Sequence, residues 1–333
     1  MKRPGWFFAK LLLMVSLLGA VRPLWGSDQP KPLGQMIDLG GHRLHVYCRG
    51  RKRPTVVVEA GLGDFSFGWT LVQARVAKFA RICTYDRAGY AWSDPGPKPR
   101  TLAQINLELH DALAKLGERG PFVLVGHSYG GLVVRNFALT YPSEVVGMVL
   151  VDATEADHRF EMGNKTARIR DFAKGTPIPT PHEIMVASDK PNLAVWPTPA
   201  PNAKVDPPYD KLPTKDQQLQ LWAALSPALV DAEDNQKLWS AEYLAKWFAA
   251  PQEGSLGMIS LVVLTRAEGG FDNDLDIPAA QLESDRKRLQ ADLSKLSKRG
   301  RQVIVPSGHN MQLEAPDAVA DAIRGVVEDC RKK

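Results

Sequence analysis

Five short, β-branched apolar runs are spaced through residues 35–154: RLHVYC at 43–48, TVVVEA at 55–60, RICTYD at 81–86, FVLVG at 122–126 and VVGMVLVD at 145–152. Each has the length of a strand and is apolar on both faces. Between the third and fourth, Leu102, Ile105, Leu109, Leu113 and Leu116 recur at helical spacing, and Thr101 with Gln104 forms a capping-box signature in front of them. Strands buried on both faces and separated by helices predict a mostly parallel sheet in an α/β layer fold.

The rhythm stops at residue 155. From there to residue 257 no strand pattern emerges, ten of the chain's 25 prolines crowd between Pro177 and Pro213, and two helical stretches follow that carry Trp222, Trp239, Tyr243, Trp247 and Phe248. Strand patterning resumes with ISLVVLT at 259–265, then a Lys/Arg-rich helix around Leu289, Leu293 and Leu296, the strand QVIV at 302–305, and a last helix with Val319, Ile323, Val326 and Val327 on one face. The basic run RKRLQADLSKLSKRGR reads as a solvated helix face. The whole predicts one α/β core interrupted by an insertion far longer than an ordinary loop, with tryptophans at helical spacing that read first as the insertion's own core.

The composition is that of an ordinary globular chain: 333 residues, 44% hydrophobic and 24% charged. The net charge of +5 loses its meaning on inspection, because Lys2, Arg3, Lys10 and Arg22 sit in an acid-free N-terminal stretch. Without those four, the 42 basic residues exceed the 37 acidic ones by a single charge, so nothing points to nucleic acid. The same stretch has a basic start, an uninterrupted apolar core from Leu11 to Val21 and a polar exit, which predicts an export signal over residues 1–26, with an uncleaved anchor as the alternative. No other stretch is apolar enough to span a bilayer. The expected product is periplasmic or secreted. Its three cysteines allow one internal disulfide at most; Cys48 and Cys83 could pair, but two reduced core cysteines are the expectation. No Cys/His cluster has metal-ligand spacing.

The chemistry concentrates in Gly126-His127-Ser128-Tyr129-Gly130-Gly131, a G-x-S-x-G that follows the strand FVLV and opens the apolar helix LVVRNFALTY. Such a strand-to-helix turn strains the serine backbone and lifts its hydroxyl above the sheet edge, with the new helix N-terminus aimed at the same place. A serine needs a base, and His309 in VIVPSGHNMQLEAP lies on the loop after the final strand. His127 adjoins the serine but reads as a packing or hydrogen-bonding residue.

These segments, together with YDRAGYAWSDPGPKPRT at 85–101, MVLVDAT at 148–154 and SGHNMQLEAP at 307–316, resemble the α/β-hydrolases. The resemblance covers residues 35–154 and 258–328, and the insertion matches only in its general character as a cap. It implies an α/β-hydrolase fold: an eight-stranded, mostly parallel sheet with helices on both faces and a helical, Pro-rich cap. It implies also a Ser-His-acid triad and hydrolysis without a cofactor or metal, with Asp86 and Arg87 bracing loops. The units would be a signal at 1–26, core at 27–154, cap at 155–257 and core again at 258–333.

An oxyanion hole should use the backbone N–H groups of Tyr129 and of Leu62, in the loop Glu59-Ala60-Gly61-Leu62-Gly63-Asp64. Many relatives carry His-Gly where this chain has Ala60-Gly61. The acid has two candidate positions. Asp152, at the rigid end of MVLVD, is favoured, while Glu268, with Asp272 and Asp274 further on, occupies the loop where most α/β-hydrolases place theirs. A serine nucleophile excludes the aspartate-dependent dehalogenase and epoxide hydrolase chemistry of this fold. The first expectation is hydrolysis of small or medium apolar carboxylic esters. Amide, peptide or lactone hydrolysis, cofactor-free perhydrolase or haloperoxidase activity, and ligand binding with incidental turnover are the alternatives. The partner in every case is a small molecule, and oligomeric state is not legible.

Overall fold

In the computed structural model the described residues are 29–333, apart from 158, 163–164, 169–198, 201, 251, 268, 270–276 and 333. The expected export signal lies outside them, as do Glu268, Asp272 and Asp274. Eight strands build one sheet: β1 Gln35–Asp38, β2 Arg43–Arg49, β3 Thr55–Glu59, β4 Ile82–Tyr85, β5 Phe122–His127, β6 Val145–Val151, β9 Ser260–Arg266 and β10 Arg299–Val305. Their order is β1-β2-β4-β3-β5-β6-β9-β10. The β1–β2 and β2–β4 pairs are antiparallel and the rest are parallel.

The helices, in chain order, are α1 Thr70–Val76, α2 Leu102–Lys115, α3 Gly130–Thr140, α4 Thr214–Ala223, α5 Pro227–Ala249, α6 Ala279–Ser294, α7 Met311–Glu314 and α8 Pro316–Arg331. Because strand side chains alternate, each central strand feeds two cores. Leu124, Met148, Leu150, Leu261 and Val263 pack with Leu109, Leu113, Val134, Phe137 and Leu293 on one face. Val123, Val125, Val149, Val151 and Val262 pack with Val72, Val76, Val319, Ile323, Val326 and Val327 on the other. Each such side chain contributes roughly 1.5–3 kcal/mol of burial, and a one-residue slip of any strand would exchange the two sets. Thr101 caps α2 as expected, its Oγ accepting from Gln104 N at 3.1 Å.

The connection from β3 leads to β4 on one side and that from β5 leads to β6 on the other. Between β3 and β5 the chain therefore changes direction, and in parallel sheets such a switch point opens a crevice at the C-terminal strand ends. The cap leaves the core between β6 and β9. Two of its features correct the sequence reading. A hairpin, β7 Arg159–Met162 with β8 Lys165–Arg168, opens the segment where no strand was expected; RFEM and KTAR carry no apolar run of the kind that marks the core strands. The cap helices α4 and α5 then close over Phe65, Phe67, Tyr90 and Trp92, with Trp222 and Leu229 buried against them.

The cysteine expectation is also overturned. Cys48 and Cys83 face each other in the antiparallel β2–β4 register and are joined as a disulfide. Sequence spacing alone could not reveal that register. A further correction concerns α6, whose basic run is only partly solvated: Lys287 and Arg288 are exposed, but Arg286 is 7% exposed and turns inward. Among the described residues no helix is long and apolar enough to cross a membrane.

Candidate active site

The crevice at the switch point is where the sequence-derived candidates gather. Ser128 follows β5 with φ at +50°. A non-glycine residue in this left-handed region costs of order 1 kcal/mol or more, and persists only where its surroundings enforce it. Here they do: Ser128 N donates to Val151 O at 3.1 Å, and Ser128 O accepts from Gly131 N at 2.9 Å and Thr154 N at 3.0 Å. The turn is thus stitched to both the new helix and the end of β6. Gly130 lies so close to the loop after β3 that a Cβ would stand 2.3 Å from Glu59 O.

That loop approaches the serine from the other side. A Cβ on Gly61 would stand 3.4 Å from Ser128 Cβ and 2.9 Å from His127 Nδ1, so only glycine fits there. Arg87, 2% exposed, fixes the loop from below. Its guanidinium donates to Glu59 Oε1 at 2.6 Å, Ala60 O at 2.8 Å and Gly61 O at 2.6 Å. Peptide planarity sets Leu62 N–H anti to Gly61 C=O, so holding that carbonyl against Arg87 turns Leu62 N–H the opposite way. Among the described residues neither Leu62 N nor Tyr129 N has a protein acceptor. Glu59 is itself fully buried, its carboxyl pushed up by burial against the opposing pull of Arg87, and it accepts from Tyr85 Oη as well. Asp86 braces the neighbouring turn, accepting from Ser66 N at 2.7 Å and lying 2.7 Å from His45 Nδ1.

Asp152 directly follows β6 with φ at +39°, and its N donates to Leu264 O at 2.8 Å. His309, on the loop after β10, places Nδ1 2.7 Å from Asp152 Oδ2. Burial alone would push the Asp152 carboxyl up, but the His309 bond and the charges of Arg266 and Arg286 hold it down at about 2. An ionised carboxylate can only accept, so His309 Nδ1 carries a proton and donates it to Asp152. The His309 side chain is 40% exposed, against 2% for Asp152.

Sequence reasoning missed two contributors. Arg266 Nη1 lies 2.6 Å from Asp152 Oδ2 and Arg286 Nη1 3.1 Å from Oδ1; an arginine at a strand end and one inside a basic run carry no readable signal. His127, read as a packing or hydrogen-bonding residue, does make a structural hydrogen bond. Burial and the adjacent His309 lower its pKa to about 3, so it is neutral, and its Nε2–H donates to His309 O at 2.9 Å. It thereby ties the loop that bears His309 to the turn that bears Ser128. Above the turn, Leu62 and Tyr129 join an apolar cluster with Leu102, Ile105, Leu132, Leu244 and Trp247, the last two from cap helix α5.

Comparison with known proteins agrees with the sheet. A thermophilic esterase from Thermogutta terrifontis superposes with a TM-score of 0.59 at 18% identity, covering 89% of this chain and 99% of that one, which speaks to fold alone. Among curated proteins, one named "Probable transporter efuK" from Hormonema carpetanum is 36% identical over 129 residues, 36% of this chain and 18% of that one. The uncharacterized protein YqjL of Bacillus subtilis is 34% identical over 120 residues, 36% of this chain and 47% of that one. The chain thus matches less than half the length of either curated relative. The profile of the α/β hydrolase family, in contrast, matches residues 56–322, and with the sheet order it establishes that this chain belongs to that family.

Proposed function

We propose that the protein is an exported serine hydrolase that cleaves small or medium apolar carboxylic esters through an acyl-enzyme on Ser128. The observation that carries this reading is the 2.7 Å bond from His309 Nδ1 to an ionised Asp152, on a loop tied by His127 to the strained Ser128 turn. In the proposed cycle His309 Nε2 takes the Ser128 proton as Oγ attacks the ester carbonyl. The oxyanion forms against Leu62 N–H and Tyr129 N–H, which already lack acceptors and need no reorganisation. The imidazolium, stabilised by Asp152, protonates the departing alcohol, and a water activated in the same way releases the acid. Asp152 is the acid of this triad in preference to Glu268. The apolar cluster that Leu62 and Tyr129 share with α5 supports an apolar substrate, and the Cys48–Cys83 disulfide supports export to an oxidising compartment.

The test is hydrolysis of p-nitrophenyl esters from acetyl to dodecanoyl by the wild type beside Ser128→Ala. Turnover confined to the wild type supports the reading, and the preferred acyl length sizes the pocket. Equal rates in the two proteins would sink it.

A further inference from the structure

Asp152 is held by more than a triad acid needs. Its Oδ2 receives Arg266 Nη1 at 2.6 Å together with His309 Nδ1 at 2.7 Å, and its Oδ1 receives Arg286 Nη1 at 3.1 Å. The arginines come from different elements, β9 and α6, and are themselves cross-braced. Arg286 Nη2 donates to Arg266 O at 2.9 Å and to Glu283 Oε2 at 2.6 Å. Arg266 Nε donates to Gly269 O at 2.6 Å. Arg266 Nη1 also stands 3.3 Å from His309 Nδ1. Since that nitrogen donates to Asp152, the contact is not a hydrogen bond but a guanidinium charge beside the imidazole.

We infer that Arg266 and Arg286 are positioning residues for the acid–base pair: they lock Asp152 in the one orientation that aims Oδ2 at His309, and they set how strongly its charge is felt by the imidazole. The inference rests on the serine-hydrolase reading above. Orientation follows from the geometry, because a carboxylate on a strand end has rotational freedom about χ1 and χ2 that one histidine bond cannot remove. Arg266 Nη1 on Oδ2 and Arg286 Nη1 on Oδ1, arriving from different directions, do remove it. The electrostatic part follows from charge. His309 faces Asp152 and Arg266 directly, with Arg286 and Glu283 behind them and neutral His127 at its side, ring centroids 4.7 Å apart. Two cations around one anion weaken the attraction that would protonate the base early. Removing either cation leaves Asp152 less compensated, so the base is lost to protonation at a higher pH.

The experiment compares wild type with Arg266→Gln, Arg286→Gln and Arg286→Lys, measuring kcat and KM across pH on a p-nitrophenyl ester. Each protein's low-field proton resonance for the Asp152–His309 bond is recorded beside the kinetics. The glutamine variants should lose about 10- to 100-fold in kcat with little change in KM, and the acid limb of kcat/KM should move up by about one pH unit. Arg286→Lys, which keeps the charge without the fork, should hold the limb near its wild-type position while recovering only part of kcat. Glutamine variants that match the wild type in kcat and limb overturn the inference. So does lost kcat with an unmoved limb and no benefit from lysine, which is the signature of a merely structural role. If Ser128→Ala retains wild-type turnover, the hydrolase reading fails, and the resonance then decides: a shift or loss in the arginine variants upholds the positioning role, and an unchanged signal overturns it.

Discussion

His127 offers a direct check on the protonation states that the site requires. Its pKa falls from 6.5 to about 3 because burial, and then the nearby His309, disfavour the charged form. Below pH 6.5 the unfolded chain binds this proton and the folded chain does not, so the residue's contribution is complete above 6.5 and is lost as pH falls toward 3. From pH 6.5 to 4 that loss amounts to about 3 kcal/mol, at 1.36 kcal/mol per pH unit. Asp64 works in the opposite direction. Burial raises it from 3.8 to about 6, so its contribution is complete below 3.8 and is lost as pH rises through 6. Going from pH 6 to 4 it returns about 2 kcal/mol, which offsets most of the His127 loss. His127→Gln keeps a side-chain N–H for His309 O while removing the titration. Urea unfolding of both proteins at pH 7 and pH 4, followed by tryptophan fluorescence and circular dichroism together, isolates the difference. The variant should gain about 3 kcal/mol on the wild type between those two pH values. A stability gap identical at pH 7 and pH 4 would refute the neutral, donating His127, and with it the argument for how the His309 loop is anchored.

Other expectations follow from the same geometry. Ser128→Ala should reduce ester turnover to the background rate, and Asp152→Asn should cost about ten-thousand-fold in kcat with the fold intact, because the amide presents the wrong partner to His309 Nδ1. Glu268→Gln should leave kcat within about twofold of the wild type, and a loss comparable to that of Asp152→Asn would transfer the role of the acid. Asp64→Asn should stabilise the protein at pH 7 by up to about 3 kcal/mol and hardly at all at pH 4, read from the same urea midpoints. One thiol per denatured chain should react with iodoacetamide before reduction and three after it. Reducing the Cys48–Cys83 bond, which spans 35 residues, should cost about 4 kcal/mol by loop entropy.

The parts of this molecule that were legible in its sequence are those with a period or a local rule. Continuous apolar runs of strand length located every core strand except β1, whose four residues Gln35–Asp38 include only Met36 and Ile37 as apolar positions. The Thr101 cap and the Leu102–Leu113 stripe are likewise local. Ser128 stood out as a candidate because its strained turn needs glycines at fixed offsets, and Asp152 and His309 because they follow strands that must reach one edge of the sheet. What stayed hidden depends on register or on rotation about a helix axis. Cys83 meets Cys48 only once β4 is slid into antiparallel register with β2. Arg286 differs from its neighbours Lys287 and Arg288 only in the direction α6 turns it, and a run of basic residues does not say which of them faces in.

The buried charges explain why such residues are kept. An ion pair removed from water seldom stabilises a fold more than a well-packed apolar substitute would, and the cores on the two faces of the sheet are indeed built from aliphatic side chains. Yet Arg87 with Glu59 lies under the loop that carries Leu62, and Arg266 with Arg286 lies against Asp152. In both places the partners are directional: Arg87 reaches two backbone carbonyls besides its carboxylate, and the pair around Asp152 fills both carboxylate oxygens. Apolar side chains in these positions could match the volume but could not fix the plane of the Gly61–Leu62 peptide or the rotation of the Asp152 carboxylate. The desolvation cost therefore falls at the two points where proton transfer and oxyanion binding would demand one geometry. Stability is supplied by the aliphatic layers on either side of the sheet, which need no such precision in direction.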